Sequence, residues 1–167
     1  MGVPTSKEEL IELFSEVGAD SPESWAKSQI EEGIPQFLRF LFLKNAWDSI
    51  PLEGDSRWIE HAISHSRKIP LAPYSGLGEI LSACREKGVT DNDLTHMARC
   101  LQAQMLFTIS YLLEGPTSYP NSIENISWGL FETDKDGRPF GKQISGLHES
   151  VLELDPTGRE MRPLGNP

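Results

Sequence analysis

A chain of 167 residues, 38% hydrophobic and 24% charged, is long enough to bury a core without staples and too apolar to be disordered. Its formal net charge of -10 repels phosphate backbones, and no local basic patch offsets it, which argues against a nucleic-acid partner. The nearest approach to a membrane span, Met97 to Leu113, is interrupted by Arg99, Gln102 and Gln104, so a spanning helix of about 20 apolar residues is not expected.

The opening MGVPTSKEEL lacks the basic-then-apolar pattern of a secretory signal, and with only two cysteines the expected location is cytoplasmic. Ser6-Lys7-Glu8-Glu9 has the spacing of a capping box, and Leu10, Leu13, Phe14 and Val17 follow at helical intervals up to Gly18. Asp20-Ser21-Pro22-Glu23 starts a second helix, with Trp25 and Ile30 inward. Gly33-Ile34-Pro35 ends it, because Pro35 has no amide hydrogen and drives Ile34 away from helical angles.

From Pro35 the run PQFLRFLFLKNAWDSI is apolar around nearly its whole circumference, which predicts a central helix. Phe40, Leu43 and Trp47 are the candidate self-association face, should that helix remain uncovered, and a homo-oligomer is one expected partner state. A helix over SRWIEHAISHSRK turns Trp58, Ile59, Ala62 and Ile63 inward, and the prolines of Ile69-Pro70-Leu71-Ala72-Pro73 stop it. The next helix carries Leu77, Ile80, Leu81 and Cys84 and ends at Gly88. Cys84 and Cys100 lie at unequal distances from that turn, an offset of roughly 9 Å that disfavours a disulfide.

Thr90 to Glu114 holds the longest helical pattern, and the other elements are expected to pack on it. Leu94, Ala98, Leu101, Met105, Ile109 and Leu112 share one stripe, and Phe107 and Tyr111 lie opposite. Gly115 to Asn125 is rich in Pro, Ser and Asn and predicts a loop. Strands over Ile126–Thr133 and Arg138–Ile144 flank an Asp134-Lys135-Asp136-Gly137 hairpin turn. His148 to Leu154 is ambiguous between helix and strand, and Asp155-Pro156-Thr157-Gly158 decides for a second hairpin with Arg159 to Arg162.

Chemistry-bearing patterns are sparse. His61 and His65, four apart on one helix, could share a metal with a third ligand from Glu60, His96 or His148, although no HExxH pattern accompanies them. Ser75, Gly76 and Gly78 at a helix entry could offer amides to an anion. Gly137 to Lys142 has the wrong glycine spacing for a phosphate loop, and Asp134 to Arg138 lacks the acidic positions of a calcium loop. No GxSxG elbow or cysteine-nucleophile signature occurs.

These patterns predict a single α+β domain over 1–167: a bundle of five to six helices over about 5–115, covered by a small antiparallel sheet or pair of hairpins over about 126–163. Trp128, Leu130 and Phe131 are expected to pack on Phe107 and Tyr111. The functional expectation is a non-catalytic cytosolic interaction module without cofactor, an acidic inhibitor or immunity-like binder of a basic partner protein. The alternative is a small metal-dependent or anion-binding enzyme with its site around His61, His65 and His96 or around Ser75.

Overall fold

Capping and proline signals set the helices close to where the sequence predicts them. The computed structural model describes residues 3–115 and 126–163, which form seven helices and one two-stranded antiparallel sheet, an α+β fold. The predicted loop after Gly115 lies outside the described residues. Two compact units emerge, Met1–Trp47 with Leu106–Glu160 and Asp48–Met105 with Met161–Pro167.

The first unit begins with α1 (Lys7–Glu16), where the Ser6 hydroxyl accepts from the Glu9 amide at 3.3 Å and donates to the Glu9 carboxylate at 2.8 Å. That reciprocal pair satisfies an otherwise orphaned amide. Helix α2 (Pro22–Glu32) ends at Gly33, whose φ of 71° suits a residue without Cβ, and Pro35 leads into α3 (Gln36–Asp48). Leu10, Phe14, Trp25, Ala26, Phe37 and Phe40 form the core. Phe14 sits at its centre, edge-on to Phe37 and Phe40 at 5.2 and 5.6 Å and stacked with Trp25 at 6.0 Å. Edge-to-face pairs at these separations add to simple area burial.

Helix α3 organises this unit because it uses two sides. Opposite the aromatic core, the Arg39 guanidinium, 3% exposed, donates to the Gly146 carbonyl and to Ser150 Oγ at 3.1 Å, and the Trp47 indole donates to the Val151 carbonyl at 2.8 Å. These bonds hold the segment that the sequence pattern assigned to a second hairpin. There the structure has a short helix, α7 (Leu147–Ser150), followed by turns. Leu147 and Val151 are both fully buried, and a spacing of four serves one helical face, whereas alternation would have separated them.

The remaining hairpin pairs β1 (Leu130–Thr133) with β2 (Pro139–Ile144). The Asp134 carboxylate accepts from the amides of Asp136 and Arg138 at 2.9 and 3.0 Å, and Gly137 takes φ 77°. The predicted Asp-Gly turn therefore forms. A bulge between Phe131 and Glu132 shifts the register, and Lys142 Nζ donates to the Gly33 carbonyl at 2.8 Å. Phe107 and Tyr111 receive a side chain from α7. It is that of His148, its ring stacked on Tyr111 at 3.9 Å and edge-on to Phe107 at 6.1 Å, with Nδ1 donating to Glu114 at 2.7 Å. Trp128 meets α6 (Asp91–Leu113) through its indole N–H, which donates to the Leu112 carbonyl.

The second unit packs α4 (Arg57–Lys68) on α5 (Gly76–Glu86) and the first part of α6, around Ile59, Ile63, Leu81 and Leu94. Thr90 caps α6 as predicted, accepting from the Asp93 amide at 3.2 Å. Arg85 joins three elements, donating to Asp91 at 2.8 and 2.9 Å and to Glu60 at 2.6 Å. That hydrogen bonding to Asp91, then to Glu60, raises the Arg85 pKa, and Asp91 is correspondingly lowered.

Candidate functional site

The predicted metal residues do not assemble. His61 is exposed, His65 is half-buried, and His96 lies on α6 with its Nε2 3.7 Å from Cys100 Sγ. Among the described residues no group of three or more His, Cys, Asp or Glu side chains is placed to hold a metal ion. Spacing put two imidazoles on one helix, and among the described residues no third ligand completes a group with them.

At the predicted anion site, Ser75 and Gly78 take packing roles. Ser75 is 1% exposed, and its hydroxyl is spent on the Ile69 carbonyl at 2.6 Å. The Leu77 and Gly78 amides donate to the Tyr74 and Ser75 carbonyls at 3.0 and 3.1 Å, which removes them from an anion cradle. A Cβ on Gly78 would stand 2.4 Å from the Ala62 carbonyl oxygen and 2.5 Å from Ser66 Cβ, whereas one on Gly76 would meet nothing within 4 Å. Gly78 is glycine so that α5 can approach α4.

The predicted self-association face is buried. Phe40, Leu43 and Trp47 are 3%, 0% and 1% exposed, enclosed within the fold and unable to meet a second copy. Exposed apolar side chains occur along α6. Thr95, Arg99, Ala103, Leu106 and Ser110, spaced to share one helix face, are buried, while Met97, Leu101, Met105, Ile109 and Leu112 are between 40% and 59% exposed. The expected burial of that stripe is thus inverted beyond Leu94, the one member that enters the core.

Hydrogen-bond demand explains the inversion. The loop from Pro51 to Asp55 has carbonyls that need donors, and Arg99 Nη1 supplies one to Pro51 at 2.6 Å. Thr95 Oγ1 donates to the Asp55 carbonyl at 3.4 Å and accepts from the Trp58 indole at 3.0 Å. The Asp55 carboxylate pairs with Arg57, and this hydrogen bond holds its pKa down to about 2.

Between Met97 and Leu113 the one charged side chain is Arg99, which is 2% exposed. The outward face of α6 is therefore uncharged over some four turns, on a chain of net charge -10. Acidity concentrates elsewhere. Glu8, Glu9, Glu12, Glu16, Asp20, Glu23, Glu31 and Glu32 are all exposed along α1 and α2, against Lys7 and Lys27.

Sequence reasoning missed the Arg39 clamp and the outward orientation of α6. A lone cation in the all-round apolar run QFLRFLFL signals a buried guanidinium in need of carbonyl acceptors, and Thr95, Arg99, Ala103 and Ser110 at helical spacing signal a polar, small-residue face turned inward. No family model matches the chain, and comparisons with curated proteins and with solved structures give no significant match.

Proposed function

We propose that the protein acts by contact and not by catalysis, as a protein-interaction module. The observation that carries this reading is the uncharged apolar face of α6, displayed by a helix whose polar side is turned into the fold. Contiguous exposed apolar surface of this kind marks contact sites. The specific form proposed is an acidic inhibitor or immunity-like binder of a basic partner protein. It is supported by the net charge of -10 and by the exposed carboxylates of α1 and α2, since opposite charge accelerates encounter and selects against acidic competitors.

Affinity capture from the source cells at low ionic strength, followed by rebinding of the purified pair across a salt series, tests it. The expected result is a basic protein whose association rate falls as salt rises and falls further in Glu12→Lys/Glu16→Lys. If no captured protein rebinds after purification, the module reading is wrong; if one rebinds indifferently to salt and to charge reversal, the basic-partner form is wrong.

A further inference from the structure

We infer that the basic partner docks a short segment in a groove of the first unit, with a Lys or Arg of that segment beside the carboxylates at the end of α2 and an adjacent apolar side chain filling the groove. The inference rests on the basic-partner reading and deepens it by naming the place and the chemistry of the contact.

The groove belongs wholly to the first unit. It holds about 400 Å³ and is lined by Pro4, Ile30, Ile34 and Leu38 together with Glu132 and Lys142 of the hairpin. Ile30, expected to face inward, is 45% exposed, and Ile34 and Leu38 are half-buried, so apolar surface is left open to solvent there. A volume of this size stands at the lower end of the roughly 300 to 1,000 Å³ of concave binding sites. It admits one or two side chains and not a folded surface.

Charge selects the occupant. Helix α2 ends with Glu31 and Glu32, both exposed, and carries no basic residue in its last turn. Two carboxylates therefore stand at the negative end of the helix dipole, where a cation is favoured. The Lys27–Glu31 pair, 3.9 Å apart with side chains 60% and 61% exposed, offsets little of this. The hairpin brings another carboxylate, since a Cβ on Gly141, itself a lining residue, would stand 3.6 Å from Glu132 Oε2. The chain already fills one cation position here, with Lys142 Nζ donating to the Gly33 carbonyl at 2.8 Å. Even with Lys27 and Lys142 counted, Glu31, Glu32 and Glu132 leave a negative excess, and the helix end adds to it. A further Lys or Arg is the favoured ion, whereas an acidic segment, a nucleic acid or an anionic lipid is repelled. An apolar side chain next to that cation completes the fit, because a desolvated anchor inside a polar rim supplies most interface energy.

Nuclear magnetic resonance titration of the isotope-labelled full chain with the capped peptide Gly-Leu-Lys-Arg-Gly provides the test. The expected result is saturable shifts of the Gly33, Ile34, Glu132 and Lys142 amides, with a Kd of about 1 mM or tighter. Gly-Leu-Glu-Glu-Gly is expected to give none, and Gly-Ser-Lys-Arg-Gly, without the apolar anchor, to bind about fivefold more weakly. Ile30→Ser and Glu31→Gln/Glu32→Gln should each weaken the first peptide about fivefold with an unchanged far-ultraviolet circular dichroism spectrum, because all three side chains are exposed. Glu12→Gln/Glu16→Gln on α1, outside the groove, should change it less than about twofold. The docking site is overturned by an absence of saturable shifts up to about 10 mM, by shifts that leave Gly33 and Ile34 unmoved, or by folded groove variants that bind like the wild type. None of these results decides the basic-partner reading, which stands or falls on the capture and rebinding experiment.

Discussion

Gly78→Ala is the sharpest probe of the second unit, because two opposing effects of known size act on it. Alanine in a helix interior is favoured over glycine by about 1 kcal/mol. The added methyl would meet the Ala62 carbonyl oxygen at 2.4 Å, the Ala62 carbonyl carbon at 2.9 Å and Ser66 Cβ at 2.5 Å, and two of these three are backbone atoms that cannot swing aside. Overpacking of this kind costs about 1 to 3 kcal/mol, and a backbone obstacle places it at the upper end. The net expectation is a loss of about 2 kcal/mol, with α5 displaced from α4. Gly76→Ala is the matched control, since its methyl would enter open space on the same helix, and it should be neutral or slightly stabilising. Urea denaturation of both variants reads the difference directly. Equal stability of the two, or a more stable Gly78→Ala, would refute the claim that close helix approach dictates this glycine.

Two further outcomes follow from the same physics. Arg39→Ala strips the Gly146 carbonyl and the Ser150 hydroxyl of their donor and leaves a void beside α3, so it should cost about 3 kcal/mol in denaturant and raise protease cleavage near residues 146–151; an unchanged midpoint would show that the clamp is idle. The Asp55 carboxylate, lowered from 3.8 to about 2 by the Arg57 hydrogen bond, contributes stability that is complete above 3.8 and is lost as pH falls toward 2. The stability difference between wild type and Asp55→Asn should accordingly close over that acidic window and persist at neutral pH, and a difference independent of pH would contradict the linkage.

Elements with local causes were legible in the sequence, and orientations with distant causes were not. The Ser6 and Thr90 caps, the Gly33-Ile34-Pro35 break and the Asp134–Gly137 turn each depend on residues within four positions of one another, and each forms as the spacing predicts. The role of α3 was half legible: its apolar circumference announced burial, but Arg39 and Trp47 find their partners more than 100 residues away, at 146 and 151. His61 and His65 show the limit of local patterns, since spacing along one helix says nothing about whether a third ligand arrives, and among the described residues no group of three forms. Gly78 looked like part of an anion loop because the sequence could not show α4 pressing against it.

The orientation of α6 can be argued as a competition of magnitudes within the second unit. Turning the helix half a revolution would shelter Met97, Leu101 and Met105, each now more than half exposed, and since burying such a side chain fully is worth about 1.5 to 3 kcal/mol, the gain would be about 4 kcal/mol in all. The same turn would strand the Pro51 and Asp55 carbonyls and the Trp58 indole at about 1 to 3 kcal/mol each, and would sweep Arg99 away from its acceptor. The polar side wins or draws, and the helix keeps its thioethers and leucines in water. That leaves the apolar gain uncollected in the single chain.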